Sequence, residues 1–529
     1  MRQHRAPSDV AAREVIESGD ERKANLVLIG LAFLYFLLEW VPGITGRYGY
    51  FIDEFYYLAC ADHLAFGYVD HPPLSVFLLR LIVATFGDSL PVIRLTSALA
   101  GGMTILLIGL IARRLGARWP GQALAAGAAM VGTVYHVTFS YYSMNAFSML
   151  LWAACFWVLV EIERRDAPRL WLLFGLLTGL GLENKHTFIL LPIGLAGGLL
   201  LTQARRHLKS RWFWLGCAIS AALMLPNVLW QSSHAWSSLE FYRNADLYKN
   251  IKTPPAMVLA NQLLATNPVA LPVWIAGLSF FLVSERGRRF RHLGWIYVVL
   301  LALMLVAQKS RPDRIAEAYL ALFAGGGVVL PTLWERARLR WLRWAVPALL
   351  LIGGAALAPL GLTLLPPPLA ARYAARLGVV PQIEKGEDKK TELPQWISDR
   401  LGWEQFVDDV DAVARKLSPE DRGQAIILVP SYGQAGALQL LGRGRGLPPV
   451  YAVQNSYSDW GPPPTSPDVA IVTGPFSVET VGRLFNEVEL VRTYRADWCM
   501  PWRNNAPIWI ARSPKVPLRD AWTRLTHYE

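Results

Sequence analysis

Asp53 and Glu54 stand side by side in the stretch 51–73, FIDEFYYLACADHLAFGYVDHPP, and Asp70-His71-Pro72-Pro73 closes it. A carboxylate anchored beside a hydroxyl can take its proton in a displacement reaction. The same pair also suits a helix start, with Asp53 as N-cap ahead of FYYLACADHL and Glu54 favoured by the helix dipole. The two readings are compatible. The prolines after His71 stiffen the chain and can open a helix lying along the membrane interface, which leaves the His71 ring free to donate to a phosphate. Glu183-Asn184-Lys185-His186 interrupts a long apolar run, and ionisable groups at membrane depth mark function by default. A fourth group, Lys309-Ser310-Arg311-Pro312-Asp313-Arg314, is followed by Glu317 and Tyr319. The loop 231–258 adds Trp236, Glu240, Arg243 and Lys249, which are weaker signals because long loops carry such residues anyway. A carboxylate base and several cations fit transfer from a lipid-phosphate donor to a hydroxyl, with the cations stabilising the phosphate that leaves. Such a leaving group is weakly basic and needs no strong general acid.

These residues must be positioned by a membrane scaffold. The chain has 529 residues, 53% of them hydrophobic, with 21 tryptophans. The net charge of +12 falls in short arginine-rich segments between apolar runs, which excludes the nucleic-acid reading such a charge would suggest in a soluble chain. The four cysteines have no metal-ligand spacing and no disulfide pattern. On the rule of roughly 20 apolar residues per crossing, spans are expected near 25–42, 91–112, 121–134, 146–161, 171–183, 187–202, 212–230, 259–283, 294–307, 317–333 and 345–365. The short segment 74–87 reads as an interfacial helix. Residues 1–24 read as a cytoplasmic tail. With the N-terminus inside, the segments 113–118, 163–169, 204–211, 285–291 and 335–343 all fall on the cytoplasmic side. Loops 43–73, 135–145, 183–186, 231–258 and 308–316 then fall outside, as do residues 366–529.

Beyond residue 365 the composition changes. Pro366-Pro367-Pro368 and EKGEDKK at 384–390 read as a linker. QAIILVP (424–430) and DVAIVTG (468–474) read as buried strands, and 403–416 and 477–485 as helices, which makes a small α/β domain. SYGQAG (431–436) lacks either glycine-rich phosphate pattern, so no nucleotide site is expected there.

Several of these stretches resemble bacterial members of glycosyltransferase family 39. This GT-C membrane group includes protein O-mannosyltransferases and is related to lipid A aminoarabinose transferase. The likeness is carried by IDEFYYLACADHLAFGYVDHPPL, YSMNAFSMLLWA, GLGLENKHTFILL, LPNVLWQ, LEFYRNA and NQLLATNPVALPVWIAGL, and in the C-terminal part by SYGQAGALQ, QNSYSDWGPP and CMPWRNNAPIWI. It implies an inverting transferase using a polyprenyl-phosphate monosaccharide, with Asp53 at the base position and Lys185 at the lysine of a short outer turn. His71 stands where the aminoarabinose transferase has a lysine, and Asn145 where it has an aspartate. In the region 311–317, Arg311 replaces a lysine, while Asp313, Arg314 and Glu317 replace two tyrosines and a proline.

The expected protein is a polytopic α-helical membrane protein of the GT-C fold, with about 11–13 transmembrane helices and a C-terminal periplasmic α/β domain. Residues 25–365 form its catalytic part and 43–73 the first outer loop. Asp53 is expected as the base with Glu54 orienting it. His71, Lys185, Lys309, Arg311 and Arg314 are expected on the donor phosphate, and Asp70, Asn145, His186, Glu240, Arg243 and Tyr319 along the substrate cavity. Donor (an undecaprenyl-phosphate sugar), envelope acceptor (glycolipid, glycan or protein) and lipid bilayer are the expected partners of a monomer in the bacterial inner membrane. No metal or other cofactor is assigned, with a divalent ion left open. A flippase of lipid-linked sugars is the alternative.

Overall fold

The computed structural model describes residues 7–308, 311–378, 392–464 and 467–529. The chain is a multi-pass helical membrane protein with a small C-terminal sheet domain. Among the described residues, 7 helices are long and apolar enough to cross a membrane, or up to 9 if each of two bent pairs is one crossing. They are Asp20–Ile44, Leu90–Arg114, Met144–Arg165, Arg211–Ser233, Arg288–Ala307, Ala316–Trp334 and Ala337–Gly361, with the bent pairs following His186 and Pro255.

The other expected spans fall on bent or shorter helices, for local reasons. The run 259–283 is not one straight span. It bends by 88° between Pro255–Ala265 and Pro268–Leu282, because Asn267 takes a positive φ of 70° ahead of Pro268. The Asn267 side chain ties the bend down by donating to the Val131 and Gly353 carbonyls, each at 3.0 Å. The expected span at 121–134 is a 12-residue helix, Trp119–Met130, restarted after Gly132 as Thr133–Phe139. The segment 171–183 is a 15-residue helix, Leu170–Asn184. The segment at 74–87 forms the helix Leu74–Phe86, which buries Val76, Leu79 and Ile82 and turns Leu81 and Phe86 outward.

Small residues let the membrane helices close up. A Cβ added at Gly277 would lie 1.7 Å from the Leu322 carbonyl oxygen, so Leu271–Leu282 and Tyr319–Trp334 touch backbone to backbone.

The C-terminal domain carries a five-stranded sheet in the order β2-β1-β3-β5-β4. The strands are β1 Ile426–Val429, β2 Val450–Ala452, β3 Val469–Thr473, β4 Phe485–Tyr494 and β5 Ala506–Pro514. β1 pairs in parallel with β2 and β3, whereas β5 is antiparallel to both β3 and β4. The all-buried β1 and β3 are the two strands readable as continuous apolar runs. Pro366-Pro367-Pro368 does not act as linker. Proline at the first helical position is pre-set for a helix, and these residues start Pro367–Leu377. The charged run 384–390 lies outside the described residues.

This domain does not stand apart from the membrane region. One hydrophobic cluster contains Phe51, Ile52, Phe55 and Tyr56 of the first loop together with Trp403, Phe406, Val429 and Ala435 of the sheet domain. The contact is made by SYGQAG. Ser431 caps the helix Tyr432–Leu441 by accepting from the Gln434 amide. Gly433 and Gly436 lie against the helix Ile52–Asp62, where added Cβ atoms would meet Ile52 Cγ1 at 2.3 Å and Phe55 Cβ at 2.6 Å. The glycines of this motif serve helix packing.

Candidate functional site

The helix Ile52–Asp62 begins two residues earlier than expected, with Phe51 as its N-cap. Asp53 is therefore not the cap. The capping work falls to Glu54, whose Oε2 accepts from the Phe51 amide at 2.8 Å. Glu54 is fully buried and saturated with donors. Arg94 binds it through Nε and Nη2 at 2.9 and 2.7 Å, and the Tyr142 amide donates to Oε1 at 2.9 Å. The expectation that Glu54 orients Asp53 is corrected on this ground, because its donors come from Phe51, Arg94 and Tyr142 and none from the Asp53 side.

With Glu54 turned inward, Asp53 is presented outward. Its Oδ1 accepts from the Tyr432 hydroxyl of the C-terminal domain at 3.0 Å. Burial pushes its carboxyl up to about 6, against the pull of the Tyr432 hydrogen bond and with a further push from Asp70, while Lys249 and Arg311 lower it. At neutral pH such a group is mostly ionised and is a stronger base than a solvent-exposed aspartate. Asp70 is held in parallel fashion, accepting from the Tyr56 hydroxyl at 2.9 Å. The Tyr56 and Tyr432 rings lie 4.6 Å apart. His71 is buried and stacks on Tyr57 with ring centroids 4.7 Å apart. Its Nδ1 lies 3.0 Å from the Pro72 carbonyl, and its Nε2 is 3.9 Å from Asp70 Oδ1.

The motif LPNVLWQ fixes this loop from below. Asn227 donates to the Phe66 carbonyl at 2.9 Å, Gln231 to the Tyr68 carbonyl at 3.4 Å, and Trp230 packs where a side chain on Gly67 would sit. In YSMNAFS, Tyr142 donates to the Ser75 carbonyl at 2.6 Å, and the Met144 amide donates to the Tyr57 hydroxyl at 3.2 Å. Asn145 opens the helix Met144–Arg165, half-buried.

Lys185 occupies the break after Leu170–Asn184 in extended backbone. It is buried, with Nζ 3.6 Å from Glu317 Oε1. Glu317 also accepts from Ser148 at 3.2 Å. The 3-10 turn Pro312–Arg314 sets Arg311 beside Asp313 at 3.3 Å. Burial alone would raise the Asp313 carboxyl, but Arg311, Arg314 and Lys185 hold it well below the usual carboxylate range. Arg314 makes no ion pair among the described residues. Burial and Arg311 lower its affinity for its proton, while Asp313, Tyr242 and Glu317 restore part of it. Arg311 also acts on Asp53, so the first loop, the 185 turn and the 311–317 segment share one electrostatic neighbourhood. Lys309 lies outside the described residues.

His186 joins this wall from the same turn, its Nε2 3.3 Å from Asn227 Oδ1 and its Nδ1 3.3 Å from the Tyr242 hydroxyl. Of the other expected cavity residues, one is core and two are exposed. Tyr319 is fully buried among helices, its hydroxyl 3.1 Å from that of Tyr297. Glu240 and Arg243 sit exposed on Ser237–Asn244, whose inner face is used by Ser238 bonding Gln231 and the Tyr68 carbonyl. Sequence reasoning missed Tyr432, which no local pattern could connect with Asp53 at a separation of 379 residues. It underrated Lys249, whose charge reaches Asp53.

Parts of the chain are similar to known proteins. Residues 70–230 match the family model described as dolichyl-phosphate-mannose-protein mannosyltransferase. An undecaprenyl phosphate-alpha-4-amino-4-deoxy-L-arabinose arabinosyl transferase of Pseudomonas fluorescens is 28% identical over 38% of this chain and 37% of its own length. The lipopolysaccharide core galacturonosyltransferase RgtA of Rhizobium johnstonii is 26% identical over 39% of this chain and 42% of its own. The matched stretch thus spans about two fifths of these curated relatives. The crystal structure of ArnT from Cupriavidus metallidurans bound to undecaprenyl phosphate superposes with a TM-score of 0.58 at 15% identity, covering 92% of this chain and 97% of that one. With its helical membrane body and C-terminal sheet domain, the chain has the GT-C fold and is similar in sequence to glycosyltransferases that use lipid-linked sugars.

Proposed function

We propose that this protein is an inverting glycosyltransferase that moves a monosaccharide from undecaprenyl phosphate to a hydroxyl of lipid A or another lipopolysaccharide sugar, on the periplasmic side of the inner membrane. The observation that carries the reading is the outward-facing Asp53 carboxylate, held by Tyr432 at 3.0 Å, together with a buried Lys185 and the cations of the 311–314 turn. Support for the donor and acceptor classes comes from relatives whose names specify undecaprenyl phosphate and lipopolysaccharide core.

In the reaction, Asp53 takes the proton of the acceptor hydroxyl as its oxygen attacks the anomeric carbon. The bond from that carbon to the phosphate oxygen breaks, and its electron pair leaves with the polyprenyl phosphate. Arg314, Arg311 and Lys185 stabilise the charge that develops there. Because Arg314 makes no ion pair among the described residues, it is the cation most available to a phosphate. Lys185 is shared with Glu317. His71 and Asp70 form the wall beneath, and Glu54 supports the loop as a whole. The sheet domain closes the site over the acceptor.

The test is reconstitution of the full chain in lipid vesicles with undecaprenyl-phosphate 4-amino-4-deoxyarabinose or galacturonic acid as donors and lipid A or core oligosaccharide as acceptor, followed by mass spectrometry of the acceptor. A mass gain that disappears in Asp53→Asn supports the reading. An unchanged rate in that variant rejects Asp53 as the base. Sugar crossing the vesicle membrane without covalent transfer would point to a flippase.

A further inference from the structure

The C-terminal domain meets the first loop through an ordered polar network. Tyr432 is the first residue of the helix Tyr432–Leu441, at the position following the Ser431 cap. Its amide donates to Gln454 Oε1 at 3.1 Å, and Gln454 in turn donates to the Glu529 carbonyl at 3.2 Å. Its ring is set by Tyr56, and its helix cannot slide because Gly433 and Gly436 are pressed on Ile52 and Phe55. One step away, Ser456 of the same domain accepts from the Val69 amide at 3.1 Å, and its hydroxyl donates to the Tyr56 oxygen at 2.8 Å. Tyr56 also holds Asp70. Two tyrosines, one from each part of the molecule, therefore each fix one carboxylate.

We propose that Tyr432 is a positioning residue of the catalytic centre, holding Asp53 Oδ1 so that Oδ2 is left for the acceptor hydroxyl. This rests on the reading of Asp53 as the base. Among the described residues Oδ2 has no hydrogen-bond partner, and Asp53 is partly exposed, so one oxygen is committed and the other is available. A carboxylate on a rotatable Cα–Cβ bond would otherwise sample several rotamers, and displacement of a reacting group by about 1 Å costs about a hundredfold in rate. Burial and the adjacent Asp53 push the Tyr432 hydroxyl well above its ordinary value, so it remains a donor throughout the working pH range. The base is then assembled from both ends of the chain, and the C-terminal domain is part of the catalytic centre as well as its cover.

Tyr432→Phe keeps the ring against Tyr56 and removes only the donor. Undecaprenyl phosphate should bind this variant within about twofold of the parent, while turnover falls ~10–100-fold. The acid limb of the pH–rate profile should move up by about one unit, because a hydrogen bond that favours the ionised carboxylate is gone. A merely structural role would not move that limb. A substrate-free measurement separates this from the activity assignment: the melting-temperature gap between the parent and Asp53→Asn opens near pH 4 in either background, but when both carry Tyr432→Phe it should be wider at pH 7.5 and level off about one pH unit higher. Wild-type turnover and an unmoved acid limb in Tyr432→Phe overturn the proposal. So does a widened melting gap with turnover unaffected, since the bond would then exist without serving catalysis. Full transfer by Asp53→Asn overturns the base assignment and the proposal together.

Discussion

Glu54 Oε2 and Arg94 Nη2 meet at 2.7 Å with side chains 0% and 1% exposed, and this pair fixes which way the first outer loop faces. Adjacent residues in the first turn of a helix point about 100° apart. Anchoring Glu54 inward on Arg94, Tyr142 and Phe51 therefore turns Asp53 toward Tyr432 and the cations. Arg94 also donates to the Gly49 carbonyl at 2.9 Å, so the pair pins both the approach to the helix and its first turn.

Truncating either partner leaves an uncompensated buried charge. Glu54→Ala and Arg94→Ala should each cost about 3–5 kcal/mol and lower the yield of folded protein in detergent. Glu54→Leu combined with Arg94→Met should recover part of the loss. Melting temperatures of the three variants check this. A melting temperature of Glu54→Ala equal to the parent's would refute the anchoring role.

Asp53 behaves in the opposite sense. Its folded-state carboxyl lies near 6, above its ordinary value. The protonated form is thus favoured by folding, and that contribution is complete below about pH 4 and lost as the pH rises through 6. Ionised Asp53 at pH 7.5 consequently lowers stability, by at most about 3 kcal/mol. Asp53→Asn should melt at a higher temperature than the parent at pH 7.5 and at the same temperature near pH 4. The same variant is expected to be inactive, so gain in stability and loss of function coincide at one residue.

The same carboxyl predicts a pH–rate profile. Turnover should be level above neutrality and fall about tenfold per unit below pH 6 as the base is protonated. A profile taken in reconstituted vesicles with the donor saturating checks the position of this limb. An acid limb near pH 4 would mean that the reacting carboxylate is a solvated one.

Arg311 and Arg314 should not be equivalent. Arg311 is committed to Asp313, whereas Arg314 carries no ion pair among the described residues. Arg314→Gln is expected to weaken undecaprenyl phosphate binding roughly 10–100-fold, the value of a charge-assisted bond. Arg311→Gln should cost less than a tenth of that factor, and it should also raise the Asp53 carboxyl slightly by removing a neighbouring cation. Binding titrations of the two variants with undecaprenyl phosphate decide the order.

Much of this molecule was legible in local sequence. Apolar runs announced the membrane body, and the buried strands β1 and β3 announced the sheet domain, because burial on both faces writes itself as continuous apolar residues. The oddly placed polar groups at 53–54, 70–71, 183–186 and 311–317 marked the region of interest, since charge at membrane depth persists only with a reason. The resemblance carried by those stretches pointed to the superfamily. What failed was whatever depends on a distant partner. Tyr319 looked like cavity lining and is core, because its neighbours Tyr297 and Trp274 come from other helices. Glu240 and Arg243 were expected along the substrate cavity and sit exposed, because the inner face of their helix is taken by Ser238.

By itself, then, the sequence determined the class of protein, the approximate spans and which short segments carry chemistry, all of which follow from composition and spacing. The tertiary structure alone decided the division of labour within Asp53–Glu54. Two adjacent carboxylates are chemically near-equal in sequence, and only Arg94 on one side and Tyr432 on the other make one a structural anchor and the other a candidate base. Those partners lie 40 and 379 residues away, and a contact over such separations is a property of packing that no local pattern encodes.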